Sequence, residues 1–244
     1  MILLLNMENL KMNNMLLKKV INISFTFLLI SCAKSQNSNY ICNDCGSFDL
    51  SKISFNENID QLTSKTEVFK TVFVNEGCEE KRMEDILKSD NVCAFKYNLY
   101  ETPKNKIHLS FSDKLKFNNL HLLADSKKEL VAYSSSEDFN GSEKDFTSFV
   151  DFLTKKLNTK PQYNILLLDE TIVYQWDTNS YIYQFTRSKN KQQKEVVING
   201  KTIMDSYYYV TFSVYQKDKL NSKIKSIIPR NENFIIYNDK YFKK

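Results

Sequence analysis

Between residues 93 and 111 apolar and polar positions alternate. Cys93, Phe95, Tyr97 and Leu99 stand against Ala94, Lys96 and Asn98; past Thr102-Pro103, Ile107, Leu109 and Phe111 stand against His108, Ser110 and Ser112. A period of two is the pleat of a half-buried strand, so the sequence predicts two adjacent antiparallel strands here. Further strands are expected at 50–55, 68–74, 117–124 and 129–134, which makes a meander. One helical turn is expected at 59–62, and 79–88 reads as a short polar helix with Met83, Ile86 and Leu87 inward.

The period changes at 142–158. Phe146, Phe149, Val150, Leu153 and Leu157 recur at steps of three and four, the ridge of one long helix. Asn140-Gly141-Ser142 supplies its cap, and Lys160-Pro161 ends it. Strands return at 163–168, 171–176 and 181–185, and Asn199-Gly200 suits a two-residue hairpin turn. In the strand expected at 207–215, Tyr207, Tyr209, Thr211, Ser213 and Tyr215 share one face, against Tyr208, Val210, Phe212 and Val214. A closing helix at 220–228 and an edge strand at 234–237 complete the chain. Strands, one main helix, then strands again predict an α+β fold, mainly antiparallel sheet in a meander and hairpins. It is expected as a single domain over 48–244; a division into two subdomains would fall near 135–141.

The first residues read differently. Lys18 and Lys19 precede an apolar run from Val20 to Ile30, and Ser31 precedes Cys32. This is the order of a secretory signal, and the run is shorter than the roughly 20 residues that span a bilayer. Leu29-Ile30-Ser31-Cys32 resembles the lipobox of bacterial lipoproteins. The resemblance implies cleavage after residue 31, lipid on Cys32, and attachment of the mature chain to a membrane through that lipid; several acyl chains hold where one binds only reversibly. Met15 is the expected start, since residues 1–14 put a second apolar patch ahead of the basic residues. Residues 32–47, small and polar, read as the lipidated cysteine and its tether. Ala33, where an aspartate would favour inner-membrane retention, implies the outer membrane. The residues after it lack the early acidic signal of surface-exported Bacteroidetes-like lipoproteins, which favours the periplasmic face.

Charge narrows the function classes. Removing Lys11, Lys18 and Lys19 with Glu8 takes the net charge from +5 to +3, and only Arg82, Arg187 and Arg230 are arginines. That is no nucleic-acid footprint, which needs a clustered basic face. The densest basic run, from Arg187 to Lys194, reads as a polar loop. With Cys32 lipidated, Cys42, Cys45, Cys78 and Cys93 form an even set, and an oxidising compartment favours disulfides in one of three connectivities. Free thiols, zinc ligation and a redox-active Cys42-Asn-Asp-Cys45 are the alternatives; no strand precedes Cys42 to set up the redox motif.

The chain has no Gly-x-Ser-x-Gly elbow, no His-Glu-x-x-His, no phosphate loop and no dinucleotide-binding glycine run, so no enzyme activity, metal or cofactor is expected. His108 and His121 read as ordinary strand polar positions, Asp169-Glu170 as a turn, and Ser134-Ser135-Ser136 has no evident base. The remaining functional signal is aromatic. Tyr174, Trp176, Tyr181, Tyr183, Tyr207, Tyr209 and Tyr215 pair apolar rings with polar tips; on one wet sheet face they would meet an envelope protein or a glycan, but alternation alone does not say which face is wet, and the favoured reading is that half line the core and half cover the sheet. The sequence thus predicts a non-enzymatic envelope lipoprotein, with an immunity or inhibitor lipoprotein against a periplasmic toxin or hydrolase as the competing reading.

Overall fold

A computed structural model of the chain describes residues 40–43, 45–139, 143–166, 171–189, 194–198, 201–205 and 208–237. The signal, Cys32, Tyr207, Asp169-Glu170, the helix cap at 140–142 and Asn199-Gly200 lie outside the described residues.

The fold is a sheet-rich α+β arrangement. Its elements in chain order are β1 (Ser47–Asp49), α1 (Ile59–Leu62), β2 (Phe69–Val74), β3 (Glu79–Arg82), β4 (Val92–Tyr100), β5 (His108–Phe111), β6 (Leu115–Phe117), β7 (Asn119–Asp125) and β8 (Leu130–Phe139). Then come α2 (Glu143–Leu157), β9 (Gln162–Leu166), β10 (Thr171–Asp177), β11 (Tyr181–Lys189), β12 (Lys194–Ile198), β13 (Lys201–Asp205), β14 (Tyr208–Gln216) and α3 (Ser222–Ile227). Nine strands form one antiparallel sheet in the order β3-β2-β4-β7-β8-β14-β11-β10-β9. The chain builds one half as a meander and crosses to the far edge through α2. It then returns inward, so that β14 is the last strand placed and fills the centre between β8 and β11.

The two faces of this sheet are covered differently. On one, α2 and a small sheet of β1, β5 and β6 bury the larger core. Phe212 is its hub: its ring lies 4.6 Å from Phe111 of the small sheet and 5.6 Å from Phe149 of the helix. The predicted ridge is inward, with Phe146, Phe149 and Leu153 buried. Asn158, in the left-handed region at φ 48°, follows the last helical residue, where a helix of this kind commonly ends. On the other face, α3 and the segment 231–237 cover a smaller core around Phe73, Leu123, Tyr215 and Phe234.

Several expectations are corrected. Residues 107–111 do not pair with β4; β5 runs parallel to β1 and antiparallel to β6, because Leu109 and Phe111 pack under the helix. The stretch 79–88 is strand β3 followed by a 3-10 turn, since Glu79 to Arg82 find edge pairing with β2. The start of the domain reads as a short strand at Ser47–Asp49 and a 3-10 turn at Leu50–Lys52. Residues 135–139, near which a division into two subdomains would fall, lie in β8, inside the large sheet. The tether ends before 47: Ile41 is buried, its N–H donates to the Leu62 carbonyl, and the Asn43 side chain is held between Lys104 and Lys106.

Candidate functional site

Registers across the large sheet bring one side chain from each of seven strands into a single row. From β9 to β4 it reads Gln162, Gln175, Gln184, Ser213, Ser134, His121 and Asn98, each directly opposite the next. All seven project from the face opposite α2, because strand side chains alternate. Apart from Gln162 they are buried. Burial of so many polar groups is costly unless they are bonded, and within the row the Gln175 Oε1 is buried without a partner. Ser213 donates to Ser134 at 2.8 Å, and the His121 Nδ1 lies 2.7 Å from the Asn98 Oδ1.

The segment 231–237 crosses this row without pairing as the edge strand the sequence predicts. Its first residues bond locally, Phe234 N–H to the Asn231 carbonyl, and from Ile235 on its backbone bonds go to side chains of the sheet face. Gln184 donates its Nε2 to the Ile235 carbonyl at 2.7 Å and accepts from the Tyr237 N–H, while the Tyr215 hydroxyl donates to the same carbonyl. Asn233 places its Nδ2 3.3 Å from the His121 Nε2.

Beside this strap the face opens into a cleft of about 300 Å³ lined by His121, Ser134, Ser136, Tyr209, Thr211, Glu232 and Asn233. Its floor is locked. The Tyr209 hydroxyl donates to Ser136 Oγ at 2.5 Å, and Ser136 Oγ in turn donates to Asn119 Oδ1 at 2.7 Å. Its rim is aromatic: Tyr100 sets its ring edge-on to His121 at 5.6 Å and lies 5.9 Å from Phe69, one of the most exposed large apolar side chains described, at 64%. Glu232 is the only charged group in the lining.

Electrostatics assign the His121 role. Burial first, and Lys96 second, lower its pKa from 6.5 to about 4, so the ring is neutral at pH 7. With Nδ1 donating to Asn98, the Nε2 lone pair faces the Asn233 amide. Both nitrogens are occupied, and this histidine holds the strap to the floor. Lys96, buried on the same face, is paired with Glu80 at 2.5 Å. Burial, the facing Glu232 and Tyr209 push the Tyr100 hydroxyl above its ordinary 10, so it keeps its proton.

The other expected site residues are dispersed. Tyr174, Trp176, Tyr181 and Tyr183 point to the α2 face and pack against the larger core, with Trp176 fully buried and its Nε1 donating to Thr154 at 3.1 Å. Tyr215 is buried on the opposite face. The six described rings therefore do not share one wet face: β10 and β11 turn theirs to the α2 side and β14 turns Tyr209 and Tyr215 to the other. Of the expected set, Tyr209 lines the cleft. His108 lies elsewhere, exposed at the start of β5 in a larger opening with Glu101, Asp113 and Lys116. Arg187, expected in a loop, is in β11 with its guanidinium 4.8 Å from the Phe146 ring and 4.9 Å from that of Tyr208.

The four cysteines are bridged as Cys42–Cys45 and Cys78–Cys93, with Cα separations of 5.6 and 5.8 Å, ordinary for disulfides. Among the described residues no group of three or more His, Cys, Asp or Glu gathers as a metal site, and no helix is long and apolar enough to cross a membrane.

Sequence reasoning missed Tyr100, Thr211, Glu232 and Asn233. A signal existed: Asn98, His121, Ser134 and Ser213 each interrupt an apolar strand. It becomes readable only once the registers align them. Comparison with protein-family models, with curated proteins and with solved structures finds no match to this chain.

Proposed function

We propose that this chain is a lipid-anchored protein of the cell envelope, held by Cys32 to the outer membrane on its periplasmic side, and that it is a binding module whose working surface is the cleft beside the C-terminal strap. The observation that carries the binding reading is the contrast within that cleft. Its floor is bonded within itself, whereas its lining offers the Thr211 hydroxyl and the Glu232 carboxylate, with Tyr100 at its edge against His121. Such a surface is preorganised to hold a ligand, since ordering its side chains costs little on binding. Its histidine is committed to the strap, which favours binding over proton transfer. The anchor reading rests on the lipobox. Between Cys32 and the buried Ile41 lie few enough residues to keep the domain within about 30 Å of the lipid at full extension.

Two measurements test the two halves. Cys32→Ala is expected to move the protein from the membrane to the soluble fraction, and continued membrane attachment would remove the lipid. For the surface, a photo-crosslinking residue is placed at Glu232 in cells, with Lys155 on α2 as the comparison position. Adducts are expected from the first position and not from the second; the reverse pattern, or none from Glu232, overturns the assignment.

A further inference from the structure

We infer that the cleft binds a neutral saccharide, its hydroxyls bonded by Tyr100, Tyr209, Thr211 and Glu232 and its C–H face set against the exposed rings of Phe69 and Tyr100. The inference rests on the reading of this cleft as the working surface and adds the chemical class of its ligand.

The class follows from what the lining offers. Tyrosine and threonine hydroxyls both donate and accept, and a carboxylate accepts two bonds, a set that matches adjacent sugar hydroxyls. Tyr209 spends its proton on Ser136, which leaves its oxygen to accept from a ligand. Tyr100, which keeps its proton, can donate. Glu232 makes the charge-assisted bond, the strongest single contact available here.

Charge excludes the neighbouring classes. Among the described residues the one charged lining residue is acidic, and Lys96, the cation on that face that acts on His121, is only 10% exposed and already bound to Glu80. A phosphate, sulfate or carboxylate would meet repulsion without a partner. An apolar ligand would desolvate hydroxyls it cannot satisfy. The apolar contribution comes instead from one side: Phe69 and Tyr100 stand 5.9 Å apart at 55° beside the polar floor. A sugar ring, apolar on its faces and polar around its edge, is the ligand shape that uses both. At about 300 Å³ the cleft is at the small end of ligand sites, fitting one or two sugar units.

The test uses the full lipidated chain in detergent micelles. Neutral oligosaccharides of glucose, galactose, mannose and N-acetylglucosamine, each with its sulfated counterpart, are screened on an array, and the best is titrated calorimetrically. Binding to at least one neutral series is expected, at least tenfold weaker for its sulfated form. Glu232→Gln and Tyr209→Phe are each expected to weaken binding tenfold or more, with Tm showing that both fold, while Lys155→Gln binds as the native chain does. Silence across the neutral series, equal affinity for sulfated forms, or unchanged affinity in both variants overturns the saccharide. If no saccharide binds but the photo-crosslinker at Glu232 captures a polypeptide, the saccharide fails while the binding surface stands. If it captures nothing as well, both fail.

Discussion

At the residue scale the chain spends its ionisable groups on fastening. His121 is the sharpest case. Its pKa is about 4 in the folded chain against an ordinary 6.5, so between those values the unfolded chain binds the proton that the folded chain refuses. Stability is therefore full above about pH 6.5 and falls as pH drops toward 4. A shift of about 2.5 units corresponds to roughly 3 kcal/mol for this buried ring. His121→Gln is expected to flatten the urea midpoint between pH 4 and 6.5, and a variant that keeps the native slope would show that another group titrates. Asp60 acts lower on the scale. Partial burial raises its pKa, but bonds from Lys128, Tyr97 and Lys70 outweigh that and hold it at about 2. A depressed carboxylate contributes above its ordinary 3.8 and loses that contribution as pH falls toward 2. Asp60→Asn is expected to lower stability at pH 7 and to leave it unchanged near pH 2. Equal losses at both would point to packing rather than charge.

At the element scale, what alternation could specify and what it could not are separable. The period of two found β4, β7, β8, β10, β11 and β14, and the period of three and four found α2, because each buries one face against a large core. The same signal failed at β3 and at 234–237. Glu79 to Arg82 form an exposed edge strand whose pattern carries no burial, and in 234–237 the Ile235 carbonyl goes to the Gln184 and Tyr215 side chains rather than to a strand. Within the site, polar residues at buried strand positions were visible one by one, yet their alignment is a property of register and not of any single segment. The cysteines sort by loop length. Cys78–Cys93 closes a 15-residue separation that joins the β2–β3 turn to the start of β4, whereas Cys42–Cys45 spans three. Chain-entropy reasoning gives about 3 kcal/mol to the first and less to the second. Replacing Cys78 and Cys93 with serine is expected to lower Tm by more than the matching pair at 42 and 45, and the opposite order would show that the N-terminal clasp of Ile41 dominates.

For the whole molecule, the position of β14 decides whether the chain has one unit or two. A boundary near 135–141 would let the first meander and the later hairpins melt separately. The sheet argues against this: β8 pairs with β7 from the first half along Leu130 to Ser136 and with β14 from the last along Ala132 to Phe139. Removing β14 would leave two central edges unpaired and would take Phe212 from between the helix and the small sheet. Burial on this scale makes loss of one part loss of the rest. Two probes report on opposite halves. Trp176, fully buried on β10, reads the C-terminal strands by fluorescence. Amide exchange along β2 and β4 reads the N-terminal ones. Their urea midpoints are expected to coincide, and Phe212→Ala is expected to shift both together by about 3–5 kcal/mol, the usual cost of emptying an aromatic core position. Separate midpoints, or a shift confined to the Trp176 signal, would restore the two-part chain, with its boundary between β8 and β14.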